Sequence, residues 1–537
     1  MDVAIIGIDA LDPELIENWQ SALPNLASLI EEGSFGRLRS ADPPLTSPAW
    51  PTMYTGKQGG KHDVFGFTCR ESSSYERTPI NYTDVKAESL WEVLDAEGHR
   101  CGVMNVPLTF PPADLDNGFV VSGWPVPNRV EISNRPAIVS EIENVTGETY
   151  DPNPFPLTYE YDELSADRLF ESIRTGLEHR KRTFEHVLAT RGDELDFFFG
   201  VFMAIDVASH NFAFEREYLR RMYEAQDEAL GMLLDSLDDD VDLILMSDHG
   251  HGAKGTWSFH VNEWLREKGY LRLEEEAIDS KSLLQRLGVT HSNYLRVENL
   301  LPAGDIHRRI PQSVVEFAQK YIPRGDGNQR AFTPADVDWS ETVAYSGEQN
   351  ELFLNRADTH PQGIVRSSEA RGLREELEAD LEGIDHPDES RDEPLITHAG
   401  TNEELFDGPF VDNAPDLVFI ADEMRCNAPM GFSGQVFTPE QWGEHRQYGT
   451  LITAGPDLSA SGSVADSDIK DVFPLVMSLL DVACPRDIDG TLPESRVEDD
   501  GELRFRESRD RTPDARAYDA EETDDIREQL EGLGYLE

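Results

Sequence analysis

Cysteine, lysine and long apolar runs are all scarce in this chain, and each shortage closes off a class of protein. Four cysteines, Cys69, Cys101, Cys426 and Cys484, stand far apart among 537 residues with no CxxC pair. That excludes a zinc ribbon and a dense disulfide framework. No run of about 18 apolar residues offers a membrane span, and neither a basic nor an apolar segment precedes the first expected strand at Val3. Neither a transmembrane helix nor a signal peptide is therefore expected. Lysine supplies nine of only 47 basic residues, against 104 acidic ones, for a net charge of −57. Nothing provides a basic face, which removes nucleic-acid binding by that route. Acid spread along the whole length repels itself in dilute buffer and is tolerable where salt screens it. The surface reads as salt-adapted, of the kind a haloarchaeal cytosol requires, so a cytoplasmic protein is expected. An acidic protein that binds cations or basic partners is the alternative reading of the same charge.

What the chain does have is strands that end in acid or imidazole. Val3 to Ile8 is a continuous apolar run, the pattern of a strand buried on both faces, and it stops at Asp9. Leu243 to Met246 is another, followed by Ser247-Asp248-His249-Gly250. A strand expected over Asp196 to Met203 leads to Asp206 and His210, whose spacing of four places both on one face of a helical turn, able to chelate one metal. His445 stands just ahead of a further apolar strand. Simpler readings exist for each. Asp9 could cap a helix, although Asp12 beside Pro13 is the better cap. Asp206 and His210 could be a surface pair, and Asp248-His249 an ordinary turn.

The stretch Pro43-Pro-Leu-Thr-Ser-Pro-Ala-Trp50 approaches in extended form because of its prolines and can turn helical from Pro48. A Thr46 hydroxyl there would sit where free N–H groups and the helix dipole favour phosphate. Alternatively, Thr46 or Ser47 is simply the N-cap. Elsewhere helices are expected over Leu15 to Ile30, Glu163 to Arg191, Glu215 to Ser236 and Ser367 to Leu381. Strands are expected over Arg100 to Pro107, Phe119 to Ser122, Glu351 to Asn355 and Asp416 to Ala421. Arg129 to Thr158 shows no firm period, and residues 271–345 lose the α/β alternation. The expectation is an α/β catalytic domain over 1–494, its mostly parallel sheet flanked by helices on both faces, with a cap or insertion at 271–345. An acidic tail over 495–537 would end in a short amphipathic helix, Ile526 to Leu536. In such sheets ligands bind beyond the carboxyl ends of the strands.

Collected, the polar strand ends make two potential metal sites without thiolates. One is Asp9, Thr46, Asp248 and His249; the other is Asp206, His210 and His445. Mixed carboxylate and imidazole ligands suit Zn²⁺ or Mn²⁺ rather than Ca²⁺. Two such ions about 4 Å apart would clamp an in-line phosphoryl displacement.

At this point the chain resembles the alkaline phosphatase superfamily, in its type I phosphodiesterase and nucleotide pyrophosphatase-like branch. The resemblance rests, in order, on Gly7-Ile-Asp9, Pro-Pro-Leu-Thr46-Ser-Pro, Thr55-Gly56, Lys61-His62, Asp206-x-x-x-His210, Ser-Asp248-His249-Gly, Gly-Glu-His445-Arg and Asp487-Ile-Asp-Gly490. It implies that Thr46 is the nucleophile, held by a metal on Asp9, Asp248 and His249, while a second metal on Asp206, His210 and His445 orients substrate oxygen and water. Ser47 is the rival hydroxyl, since some members use serine. The sulfatase branch is disfavoured because its Cys/Ser-x-Pro-x-Arg signature is absent. One departure bears on the substrate: nucleotide pyrophosphatases tend to carry a phosphate-contacting Asn where this chain has Phe67. Asn105, on a proline-stiffened loop, and His62 are candidate replacements. The expected activity is hydrolysis of a small phosphorylated substrate, most simply a phosphodiester. A phosphomutase or phosphomonoesterase comes second, and a non-catalytic acidic metal-binding scaffold is the reading from a different class.

Overall fold

The computed structural model describes residues 1–70, 74–155, 165–274, 332–459, 462–493, 497, 503–509, 511 and 516–532. Its centre is the apolar run at the N-terminus, β1 (Val3–Ile8), every residue of which is buried. Such a strand needs neighbours on both sides and helices on both faces. Further elements of the main sheet and its edge are β2 (Ser34–Arg39), α1 (Thr46–Thr55), β3 (Cys101–Met104), β4 (Phe119–Val121), β5 (Phe197–Phe202), α2 (Ala204–Phe212) and β6 (Asp242–Met246). They are followed by β7 (Gly250–Phe259), β8 (Phe437–Arg446) and β9 (Tyr448–Ala454).

Strands β6, β1, β5, β3 and β4 lie side by side and parallel. The sheet extends beyond β6 through β9 and β2 to the short strand Gly462–Ser463, and Ser467–Asp468 also pairs with β2. Only β9 runs against the rest, antiparallel to both β6 and β2. This is the expected mostly parallel sheet, mixed by one reversed strand, with helices flanking it.

A second cluster of buried apolar residues, from Phe259 to Phe432 with Tyr75 added, is separate from the main one. It is built on the antiparallel sheet formed by Ala344–Ser346, Glu351–Leu354, Leu417–Ala421 and Ile396–Thr401, with the helix Ser367–Glu382 against it. Most of the segment expected as a cap, 275–331, lies outside the described residues. The region after 494 is held to the main body where it is described. Helix Ala520–Gly532 buries Ile526 and Leu530 completely, and Arg511 donates to Glu92 and to the carbonyls of Tyr82 and Val85. Residues 533–536 of the expected terminal helix lie outside the described residues.

Three local expectations need correction. The helix expected over Leu15 to Ile30 is two, Pro13–Trp19 and Pro24–Glu32, because Pro24 has no N–H to continue the first and starts the second. The strand expected to reach Pro107 stops at Met104, where Asn105 takes a left-handed φ of 59°. A helix, Pro136–Thr146, occupies the stretch that shows no firm period; it buries only Ile138 and Ile142 and packs on helix Ala166–Arg191.

Candidate metal centre

Parallel pairing in register brings the three acids together. Gly7 of β1 lies opposite Val201 of β5 and Met246 of β6, so all three strands end at one edge. Asp9 follows β1, with its N–H donating to Phe202 O at 2.8 Å. Asp248 follows β6 by two residues, and its Oδ1 accepts from Ala10 N at 3.3 Å. Asp206 sits in the first turn of α2, which begins as β5 ends. Gly7 has a packing reason: a Cβ there would lie 2.7 Å from the Trp50 ring, and Trp50 Nε1 donates to Asp9 Oδ2 at 3.3 Å.

Thr46 is the first residue of α1. The N-cap is Leu45, extended at φ −114° and ψ 148°, so neither hydroxyl serves as the cap. Thr46 Oγ1 lies 3.1 Å from His249 Nε2, whereas the buried Ser47 Oγ has no hydrogen-bond partner among the described residues. His249 Nε2 is in turn 3.2 Å from Asp248 Oδ2 and 3.7 Å from Asp9 Oδ1, and all three side chains are fully buried. The hydroxyl at the helix start and the first ligand set therefore meet at one imidazole nitrogen.

On the other side, His210 Nε2 approaches Asp206 Oδ1 at 3.4 Å and His445 Nε2 at 3.1 Å. His445 Nε2 is 3.7 Å from the same Asp206 oxygen, and its Nδ1 is fixed by Pro44 O at 3.1 Å. Asp206 thus belongs to both halves: its ligand atom lies within 4.8 Å of those of Asp9 and His249, and within the same limit of those of His210, His251 and His445. The seven residues expected from the sequence come together in this one place. An eighth, His251, joins them; the motif Asp248-His249-Gly-His251 carries the signal, but strand alternation alone does not say which partner faces it.

The electrostatics ask for a cation. Burial, then the charges of Asp248 and Asp206, pushes the Asp9 carboxyl well up, and burial raises Asp248 against the attraction of His249. Burial, then neighbouring imidazoles, pushes His445 and His251 well down, so these rings are neutral and present lone pairs. Asp9 Oδ1 and Asp248 Oδ2 receive no hydrogen bond among the described residues. Against burial, neighbouring imidazoles hold the third acid, Asp206, well down. Carboxyls raised by burial, imidazoles that present lone pairs and bare carboxylate oxygens at ligand spacing fit divalent metal, which would favour the ionised acids on binding.

The two expected substrate contacts lie differently. Both His62 nitrogens are used by the protein: Nε2 meets Thr52 Oγ1 at 3.0 Å, and Nδ1 accepts from Val64 N at 3.1 Å. Burial, with the Lys57 charge, lowers its pKa to about 3. Asn105 Oδ1 accepts from Arg180 Nη1 at 2.5 Å and from the Tyr150 hydroxyl, while its buried Nδ2 has no hydrogen-bond partner among the described residues. The turn expected at Asp487–Gly490 holds the other side of this region, through Lys57 Nζ to Asp487 at 2.6 Å and Lys61 Nζ to Asp489 at 2.5 Å.

Comparison with known proteins follows the same lines. The sequence profile of the family described as type I phosphodiesterase / nucleotide pyrophosphatase matches residues 3–349. Among curated proteins none matches the sequence. A solved structure of phosphonoacetate hydrolase from Sinorhizobium meliloti 1021, in complex with phosphonoformate, superposes with a TM-score of 0.51 at 14% identity, covering 88% of this chain and 94% of that one. Murine ectonucleotide pyrophosphatase / phosphodiesterase 5 gives 0.49 at 12% identity, covering 92% of this chain and 100% of that one. At 14% identity the phosphonoacetate hydrolase superposition speaks for the fold alone. His445 lies beyond the matched stretch, and its place in the cluster comes from the strand pairing of β8.

Proposed function

The chain belongs to the type I phosphodiesterase / nucleotide pyrophosphatase family, hydrolases of phosphoric ester bonds, and we propose that within it this protein cleaves a small phosphodiester through a phosphothreonine at Thr46. The observation that carries the reading is the 3.1 Å approach of Thr46 Oγ1 to His249 Nε2 inside a buried group of acids and imidazoles. Asp9, Asp248 and His249 would hold one divalent ion, and Asp206, His210 and His445 the other, Zn²⁺ or Mn²⁺ by donor type. Bound there, the ions supply the charge that stabilises an ionised threonine hydroxyl and the phosphoryl oxygens.

The remaining work falls to the chain itself. Leu45, held extended, sets Thr46 at the start of α1, where the helix dipole favours the phosphoryl anion. Thr46 Oγ1, its proton released to solvent, attacks phosphorus, and the ester oxygen leaves as an alcohol with a proton drawn from solvent. Water then cleaves the phosphothreonine and restores the hydroxyl. His62 serves as a positioning residue, bracing Thr52 on the same helix. Asn105 Nδ2 is the donor available to a phosphoryl oxygen. No helix among the described residues is long and apolar enough to cross a membrane. A salt-adapted cytoplasmic setting remains the proposal that the net charge of −57 supports.

The test is turnover of bis-p-nitrophenyl phosphate and of p-nitrophenyl phosphate in molar KCl, with Zn²⁺ and with Mn²⁺. Metal-stimulated cleavage that favours the diester supports the proposal. A preference for the monoester moves it to phosphomonoesterase, and absence of turnover on both leaves a scaffold.

A further inference from the structure

His251 stands outside the ligand set that the sequence motifs define, and its surroundings give it no other occupation. The side chain is fully buried, and neither ring nitrogen has a hydrogen-bond partner among the described residues. A buried polar ring without a partner costs free energy that a structural role would not recover. The backbone aims it at the metal site. In the antiparallel ladder of β7 and β8, His251 is directly opposite His445, and directly opposed residues share a face of the sheet. A register shift between Glu444 and His445, beside the left-handed Gly252 at φ 116°, sets that pairing at the sheet edge rather than along the strand. The His251 ring centroid comes within 4.7 Å of His210 and 5.6 Å of His445. One ligand atom from each of Asp206, His210, His251 and His445 falls within 4.8 Å of the others. The space is kept by Gly443, where a Cβ would lie 3.2 Å from His251 Cε1 and would collide with Ala213.

We propose that His251 is a fourth protein ligand on the Asp206, His210 and His445 side of the centre. The inference rests on the two-metal reading above and goes beyond it. Four protein ligands fill a tetrahedral shell, the arrangement of sites that retain their metal, whereas three leave a position open. The two halves therefore differ in kind. The half with His251 would hold its ion tightly, while at the other half the fourth position belongs to the reacting Thr46 hydroxyl, so that half keeps three permanent ligands and would exchange its ion first.

The experiment uses the full chain in molar KCl. Zinc binding is followed by calorimetry, and X-ray absorption counts the imidazoles around zinc at half an equivalent per chain. Three imidazoles on the tightly bound ion, and a loss of at least about tenfold in its affinity in His251→Leu with the weaker site unchanged, support the proposal. Two imidazoles or fewer in the wild-type protein overturn it, whether or not the variant folds. Unchanged affinity for both ions in a folded His251→Leu protein also overturns it. A wild-type chain that binds no divalent metal, or a single ion, fails the two-metal reading itself, and calorimetry of the wild type alone reports that failure.

Discussion

Two groups of buried acids differ in what neutralises them, and the difference separates chemistry from architecture. At the edge of the main sheet, Asp9, Asp206 and Asp248 are surrounded by imidazoles, and no Arg or Lys is among the groups that act on them. Where the second lobe meets the main body, Glu348 accepts from Phe67 N at 2.9 Å, Thr68 N at 2.7 Å and Thr68 Oγ1 at 2.5 Å, with Arg77 at 3.4 Å. Glu351 lies beside it, its carboxylate accepting from Glu348 N at 3.2 Å. The second group carries its own permanent cation, and Glu348 its own donors, while Glu351 Oε1 is buried without a hydrogen-bond partner among the described residues. The first is met by imidazoles and has no permanent cation of its own, so it takes further positive charge from outside.

If that contrast is right, the two groups should fail in different ways. The largest effect belongs to the hydroxyl at the first group. Thr46→Ala should lower kcat/KM on a diester by at least about 10³-fold, the scale of losing a nucleophile, while zinc content and the unfolding midpoint change little. Ser47→Ala should keep most of the activity; the reverse outcome would transfer the nucleophile to Ser47. Next in size is the second group. Arg77→Met leaves Glu348 and Glu351 without their cation and should cost about 3–5 kcal/mol of stability in urea titrations, with metal content and kcat of the folded fraction preserved. A variant that lost metal rather than stability would join the two groups into one.

How far this contrast could be read from sequence depended on whether the residues concerned are neighbours in the chain. Asp9 and Asp248-His249 were legible because each breaks a local apolar run, and Asp206 with His210 because one helical turn holds both. Parallel packing of buried strands then had few other ways to arrange them. His445 was legible only through a motif, and His251 not at all as a partner, because their meeting depends on a ladder between segments far apart in the chain. Glu348 and Arg77 have the same problem, and nothing in either local sequence foretells the pair. Helix Pro136–Thr146 escaped for a related reason. Its two buried side chains make a weak period, and the contacts that hold it, such as Arg191 with Glu141 at 2.5 Å, come from another helix.

Metal removal should act on the first group alone. Ions that bind only the folded chain add about 2.7 kcal/mol per site when free metal stands at 100 times Kd. EDTA should therefore lower Tm, and by more at 0.2 M than at 3 M KCl. Repulsion across a chain of net charge −57 has already reduced the margin at the lower salt, where the Debye length is about 7 Å against about 2 Å. Calorimetric scans with and without EDTA at both salts check this. Melting curves that do not respond to salt would remove salt adaptation and return the acidic composition to a cation or a basic partner.

The smallest effect tests how far Arg77 compensates the second carboxyl of its group. Glu351 is fully buried, and burial pushes its carboxyl from 4.5 up to about 8, against the attraction of Arg77 and with the help of Glu348. Between those two values the folded chain keeps a proton that the unfolded chain has lost. The contribution of this group is thus fully present below about pH 4.5 and is lost as pH rises through 8. Urea midpoints at pH 6, 7.5 and 9 should fall more steeply for the wild type than for Glu351→Gln, and the variant should be the more stable at pH 9. Parallel pH slopes would mean that Arg77 holds Glu351 ionised throughout. One guanidinium would then neutralise two buried carboxylates, whereas burial raises Asp9 and Asp248, which have no such permanent cation beside them.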